Sequence, residues 1–490
     1  MVAFFYLSRQ RETLVLFNSL DFGFFLVIVF TMYWIIGSKR RVAQNALILV
    51  ASYVFYGFWD WRFLSLIIAS SLIDYFAARY LHKSKGRVRR KFWLFFSLFW
   101  NLGILFTFKY MNFFLESFHM LFNSEILPGE FTVWNVIIPV GLSFYTFQTM
   151  SYTIDVYRKR IEPTTNLLSF LCFVSFFPQL VAGPIERAHF LLPQFAKNRS
   201  FDSSSAKEGL RQILWGLFKK ILVADKLGIG VTMVFNEPEL YGSAMLWYAS
   251  LLFFFQLYCD FSGYTDIAIG TAKLFGFKLN KNFRVPYLSV SIHEFWGRWH
   301  ITLTKWFTDY VYIPIIRSGN KGSIIRRNIA IIITMLLVGL WHGASWNFVA
   351  FGLINGLVLV FERIPVGRNG RSLQKTLYEI PRFLSLLYFL ALAAFVSMFF
   401  RSESIAQSKL ILERMFSFIP DDNLSLLIGF KMVFLAIMII AEIHTKNMDF
   451  PLQNIERKIS RPVRWVIYYT LVFLIIRFYA PLQSFIYFQF

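Results

Sequence analysis

Seven histidines occur in the 490-residue chain, and three of them stand where an imidazole could do chemistry. His342 lies in "LVGLWHGASW" (337–346), inside a stretch with no Asp, Glu, Lys or Arg between Arg327 and Glu362. His293 and His300 lie in "HEFWGRWHITLTKW" (293–306). At helical spacing Trp296 and His300 follow His293 at i+3 and i+7, and Thr304 follows His300 at i+4, so one face is expected to carry two imidazoles and an indole. His82, in a basic loop, and His444, at the polar end of an apolar run, are expected to be solvated or interfacial. His119 and His189 offer no nameable partner.

Two chemistries suit such imidazoles. Zinc fits poorly, because no second His follows "HE" at the zincin spacing and His293 and His300 are two helical turns apart; no metal is expected. Acid–base chemistry fits better. A neutral imidazole can take a proton from a hydroxyl, as acyl transfer to an alcohol requires, and an apolar setting keeps out the water that would hydrolyse the donor. The bland alternative is a histidine that only hydrogen-bonds a neighbouring helix. Against it, ionisable residues inside membrane segments are functional by default. Gly339 and Gly343 allow close backbone approach, and Trp341 and Trp346 supply rigid walls. A long tilted helix over 329–361, or a break near Trp341-His342-Gly343, would place His342 at depth.

The elements that must hold these residues are membrane elements. Hydrophobic residues make up 57% of the chain and aromatic ones 20%, charged residues only 16%, and mean hydropathy is +0.52; this is the composition of an integral membrane protein. Apolar runs that approach the ~20 residues of a bilayer crossing recur at 22–37, 42–58, 62–78, 92–108, 131–148, 167–182, 243–258, 329–361, 383–400, 424–443 and 463–480. About ten to twelve crossings are expected. Segments 110–122, 210–235 and 286–316 mix apolar and charged residues and read as interfacial, re-entrant or spanning. No cleavable signal peptide is evident.

The net charge is +22. The basic residues sit in short loops, most densely in "RYLHKSKGRVRRK" (79–91), which the positive-inside rule places in the cytoplasm together with Lys39-Arg40-Arg41. Anionic lipid headgroups account for that charge better than nucleic acid, for which no soluble domain remains. Cys172 and Cys259 lie within apolar runs and read as packing residues. A single membrane domain spanning 1–490 is expected. Two regions break the helical pattern: "FFPQLVAGPIERAHFLLPQF" (176–195), with Pro178, Gly183, Pro184 and Pro193, reads as a cavity wall or an interfacial loop; residues 260–315 open with Asp260, Gly263 and Asp266 beside apolar residues.

"FWGRWHITLTKWFTDYVYIP" followed by "GLWHGASW", with the histidines 42 residues apart, resembles the membrane-bound O-acyltransferase (MBOAT) superfamily, and within it the bacterial alginate O-acetylase group. "FYGFWDWRFLSLIIASSLIDY" (55–75), "PVGLSFYTFQTMSYTIDVYR" (139–158), "FVSFFPQLVAGPIERAHFLLPQF" (173–195) and "DFSGYTDIAIG" (260–270) look like that group's blocks in the same order. The likeness is close over residues 20–360. It implies an all-α membrane fold around a central funnel or tunnel, with His342 as the main catalytic histidine and His300 as the second. We expect His342 to act as general base and His300 to orient substrate or assist proton transfer. Trp299, Trp341, Arg298, Asp309, Asp266 and His293 are the expected substrate-binding residues.

The chain departs from the group in having Gly297-Arg298 before Trp-His, Thr308-Asp309-Tyr310 after it, and "IIRSGNKG" in place of a Gly-Gly turn. Cationic contacts to a donor or partner are therefore expected to be lost or relocated, with Arg298, Lys305, Arg317 and Lys321 as candidates or as membrane-surface charges. The resemblance implies transfer of acetyl, from acetyl-CoA or a carrier-bound donor, to an exported alginate-type polysaccharide or to a periplasmic or extracellular acyltransferase partner. No cofactor is expected to be bound. A bacterial inner membrane is the expected location. Peptidoglycan O-acetylation, teichoic-acid D-alanylation of the DltB type, and a non-enzymatic transporter or flippase are the alternatives.

Overall fold

The computed structural model describes residues 16–122, 137–181, 183–319, 323–366, 371–421, 429–479 and 485–486. The described residues are overwhelmingly helical; the exception among them is a two-residue antiparallel pair, Pro365–Val366 with Arg371–Ser372. The all-α expectation holds. Five stretches have the length and apolarity to cross a bilayer: Arg41–Lys83, Arg87–Leu121, Ser243–Leu274, Ile324–His342 and Arg382–Arg401. Leu20–Ile36, Leu167–Leu180, Trp346–Phe361 and Met432–His444 are apolar but shorter. Lys321, one of the proposed cationic substitutes, lies outside the described residues, as does part of the apolar runs at 131–148 and 424–443.

The chain forms two compact units, residues 1–210 with 268–280, and residues 211–267 with 281–490. In the first, α1 (Leu20–Ile36) is capped by Ser19, whose hydroxyl accepts the Phe22 N–H at 3.1 Å. Two apolar runs become α2 (Arg41–Asp60) and α3 (Leu64–Lys83), joined by the turn Trp61–Phe63, where the Asp60 carboxylate accepts the Arg62 N–H. α4 (Arg87–Leu105) and α5 (Leu142–Tyr157) pack on α3, and α6 (Leu167–Ser175) packs on α2. The proline-interrupted segment follows α6. Phe176 to Val181 are all buried; the Phe177 N–H donates to Ser52 Oγ at 3.1 Å, and the Phe173 carbonyl accepts from Gln148 Nε2 at 2.6 Å. Broken backbone inside a membrane protein survives where protein satisfies it, which here is done by side chains of α2 and α5. This part of the segment is interior, not an interfacial loop.

The second unit holds most of α7 (Ser243–Leu274), the short helices α8 (Ile292–Arg298) and α9 (Ile301–Phe307), and the hairpin α10 (Ile324–His342) and α11 (Trp346–Phe361), followed by α12 (Arg382–Arg401), α13 (Ile405–Phe416) and α14 (Phe430–His444). The long apolar run at 329–361 is thus two helices, not one tilted span. The turn falls at Gly343, immediately after His342. The two helices pass so closely that a Cβ on Gly339 would stand 2.1 Å from the Phe348 carbonyl oxygen, and one on Gly352 would stand 2.4 Å from that of Met335. Gly343 needs the same economy for another reason: a Cβ there would lie 2.1 Å from the Phe348 ring.

The expected continuous helix from His293 through Thr304 is not formed. It breaks at Trp299–His300, where His300 adopts left-handed backbone geometry (φ 41°, ψ 53°). No glycine or proline marks the break. Asn282, eighteen positions before His300, imposes it: its carbonyl accepts the Ile301 N–H at 2.9 Å, and its Oδ1 accepts the Thr302 N–H at 3.2 Å and hydroxyl at 2.9 Å. Asn282 thereby satisfies the first amides of α9, which an unbroken helix would have bonded internally.

Gly339→Ala is expected to lower the melting temperature and the folded yield in membranes, because overpacking of this size costs roughly 1–3 kcal/mol. Gly103→Ala in α4 serves as control, since nothing lies within 4 Å of a Cβ there. Equal melting temperatures for the two variants would contradict the close-packing account.

Candidate active site

His342 ends α10 and is 3% exposed. Its ring is packed among Trp341 (centroids 4.9 Å), Phe400 (5.1 Å) and Phe351 (5.7 Å). It lines an apolar cavity of about 40 Å³ whose other walls include Phe254, Trp296, Trp299, Phe389 and Asn355. At ~10–15 Å³ for a water-sized sphere, that space suits a small group. Among the described residues no Asp, Glu, Lys or Arg lines it.

His300 is fully buried and packs against Trp341, outside the cavity lining. Its ring stands 4.7 Å from that of Phe261 and 5.4 Å from that of Trp341. The Trp341 indole therefore touches both imidazoles, and the two histidines that the sequence singled out are brought together around it. They differ in access: His342 lines the cavity, and His300 is not among the residues lining it. Burial pushes the His300 imidazole down to about 3. A left-handed conformation at a non-glycine residue costs on the order of 1–3 kcal/mol and persists only where the surroundings enforce it; here Asn282 does so.

The remaining predicted residues separate into those at the cavity and those elsewhere. Trp299 forms a wall, stacked on Phe295 (5.4 Å) and Phe254 (6.2 Å). Arg298 is ion-paired to Glu294 one turn away. His293 is exposed, and its backbone N–H donates to Glu362 at 3.2 Å. Asp309 is half-buried in the π-helical turn Thr308–Tyr312. Lys305 and Arg317 are exposed. Asp266 belongs to a buried ion network: it pairs with Lys219 at 2.6 Å and accepts from Gln212 at 2.8 Å, while Lys219 also faces Glu442 at 3.6 Å. Beside it Lys220 pairs with Asp260 at 2.6 Å and Asp225 at 2.8 Å.

Four positioning residues escaped the sequence reading: Asn282, Asn355, Glu362 and the lysine pair's partner Glu442. Asn355 accepts from Trp296 Nε1 at 3.2 Å and donates to the Phe351 carbonyl at 2.8 Å, fixing one cavity wall to the hairpin. Glu362 is fully buried and accepts the Ile292 N–H at 2.8 Å and the Tyr388 hydroxyl at 3.3 Å, so a carboxylate on the hairpin caps the N-terminus of α8. Glu362 was visible only as the end of the charge-free stretch. Among the described residues no group of three or more His, Cys, Asp or Glu side chains is arranged to hold a metal ion. The arrangement sets one imidazole beside a small, largely aromatic cavity.

Residues 92–366 match the model of the MBOAT, membrane-bound O-acyltransferase family. The protein named probable alginate O-acetylase AlgI from Pseudomonas syringae pv. tomato is 38% identical over 409 residues, covering 82% of this chain and 76% of that protein. A peptidoglycan O-acetyltransferase from Helicobacter pylori is 32% identical, covering 84% and 81%. A teichoic acid D-alanyltransferase from Streptococcus thermophilus is 28% identical, covering 51% and 63%.

The buried His300 ring makes stability depend on pH. Its folded value near 3 lies below the ~6.5 of an unfolded histidine, so as pH falls below about 6.5 the unfolded chain takes up a proton that the folded chain refuses. Between pH 6.5 and 5 this costs about 2 kcal/mol. Melting temperatures in detergent should fall more steeply with acid for wild type than for His300→Gln; parallel curves would contradict the buried neutral ring.

Proposed function

The chain belongs to the membrane-bound O-acyltransferase family, and from that premise we propose that it transfers acetyl groups to an exported cell-envelope polysaccharide at the cavity walled by His342. The observation that carries this reading is the His342 imidazole facing a largely apolar space of about 40 Å³. His342 accepts the proton of the acceptor hydroxyl as its oxygen attacks the acyl carbonyl; the tetrahedral adduct collapses, and the imidazolium returns the proton to the departing thiolate of the donor. Aromatic walls exclude the water that would compete as acceptor. His300, on the far side of Trp341, positions that indole and through it the His342 ring.

Acetyl-CoA is the proposed donor, reached from the cytoplasmic face of a bacterial inner membrane, and an alginate-type polymer or an acyltransferase that modifies it is the proposed receiver. The Pseudomonas syringae relative supports an alginate-type acceptor by its name. Peptidoglycan is the second reading, favoured by the Helicobacter pylori relative over a similar share of the chain. D-alanyl transfer is disfavoured by the cavity, because no carboxylate lines it to pair an ammonium group. A flippase would leave His342 without a role.

His342→Ala, at membrane levels matched by immunoblot, should cut the acetyl content of envelope polysaccharide by at least a hundredfold, the scale of a lost general base; unchanged acetate contradicts the reading. Cavity size makes a separate claim. Phe400→Ala removes a ring packed on His342 and should raise the ratio of propionyl to acetyl transfer severalfold in isolated membranes supplied with both donors. A ratio equal to wild type would show that the cavity does not select the acyl group.

A further inference from the structure

A second buried polar site lies in the first unit and takes no part in the acyl-transfer reading. Asp74 on α3 is fully buried, nine residues before Lys83 and so about 14 Å along the helix from its basic end. Its carboxylate is ringed by two pairs of side chains, each pair one helical turn apart on a neighbouring helix: Ser97 and Asn101 on α4, Thr149 and Thr153 on α5. Ser97 Oγ makes a short hydrogen bond to Oδ1, Thr153 Oγ1 reaches the same oxygen at 3.3 Å, and Asn101 Nδ2 donates to Oδ2 at 2.8 Å. Thr149 Oγ1 donates to Asn101 Oδ1 at 3.2 Å, which turns the amide so that its N–H faces Asp74. All five side chains are at most 1% exposed.

The charge balance of this cluster is incomplete. An ionised carboxylate in a membrane interior requires a counter-charge, and every partner of Asp74 is neutral. Among the described residues, no charged side chain of the packed helices is bonded to Asp74. Arg79 bonds the Tyr75 hydroxyl at 2.9 Å, Arg90 bonds the Tyr157 carbonyl at 2.7 Å, and Tyr152 accepts the Thr164 N–H at 3.0 Å. Asp155 faces Arg160 at 3.4 Å, and on α6 the Cys172 thiol meets the Asn45 carbonyl at 3.2 Å. The donors aimed at Asp74 prepare it as an anion, and the hydroxyls of Ser97 and Thr153 keep lone pairs after donating to it. The Asp74 carboxylate with the hydroxyl oxygens of Ser97 on α4 and Thr153 on α5 is a hard-oxygen donor set of single negative charge from three helices, which suits an alkali cation better than a divalent or thiophilic metal.

We propose that Asp74, Ser97 and Thr153, with Asn101 and Thr149 orienting the carboxylate, form a binding site for a monovalent alkali cation of sodium size, which ties α3, α4 and α5 together. Because the ion binds the folded chain and not the unfolded one, it stabilises by mass action. The test is thermal unfolding of the full-length protein in detergent at pH 8, with choline chloride replaced stepwise by sodium chloride at constant ionic strength. Wild type should gain a saturable rise of a few degrees, Asp74→Asn none, and Thr153→Val the same rise with a midpoint at several-fold higher sodium. A wild-type melting temperature identical in choline and sodium would overturn the proposal, as would an equal response in Asp74→Asn. If Asp74→Asn does not accumulate, Thr153→Val decides alone, an unshifted midpoint counting against the site. A rise produced only by acidification, with no sodium response, would mean that Asp74 is neutralised by a proton and would equally overturn it.

Discussion

The close pass of α10 against α11 is the constraint on which the site depends. Only glycine fits at 339 and 352, because each would drive a Cβ into the other helix's backbone. With the helices so near, the turn at Gly343 is tight and the last residues of α10, Trp341 and His342, are aimed into protein instead of lipid. A wider hairpin would let the imidazole turn away from Phe400 and open the cavity to water. The proposed base rests on a dense, closely packed element, which is what a reacting group held to within a fraction of an ångström needs.

A second constraint follows from the first. Polar groups buried in a membrane protein must be satisfied locally, and the structure does this with side chains that bridge distant segments. Glu362 holds the start of α8, Asn282 holds the start of α9, and Asn355 holds Trp296. Together they build a broken segment, α8–His300–α9, whose termini are bonded by partners outside it. The lysine pair at 219 and 220 obeys the same rule with charges: each ammonium faces two carboxylates, and Tyr258 and Tyr287 donate to Glu442 at 2.7 and 3.1 Å. Charge is thus kept paired behind the aromatic layer, and the cavity is left apolar.

Much of this was legible in the residues. A histidine isolated in a charge-free run, with glycine at 339 and 343 and tryptophan at 341, announces a buried imidazole on a closely packed element, and the structure supplies one. The helical class followed from apolar runs alone. The face shared by His293, Trp296 and His300 was read from spacing, and spacing misled there: the break at His300 comes from Asn282, eighteen residues away. Lys219 and Lys220 read as charges in an ambiguous segment, because all but one of the acids that pair them lie on α7 and α14; Asp225, five residues from Lys220, is the local exception. Glu362 looked like a boundary, since its partner Ile292 is seventy residues distant. Local pattern reports which element forms; the bonds that end an element are tertiary.

The central claim is that acyl transfer takes place in the cavity beside His342. The most direct test is a structure of the protein with a non-transferable thioether analogue of the acetyl donor. The account predicts the acyl mimic between Trp299, Phe400 and the His342 ring, with an imidazole nitrogen facing the carbon that would be attacked. An analogue bound with its acyl end away from this cavity, at a site that neither histidine borders, would contradict it.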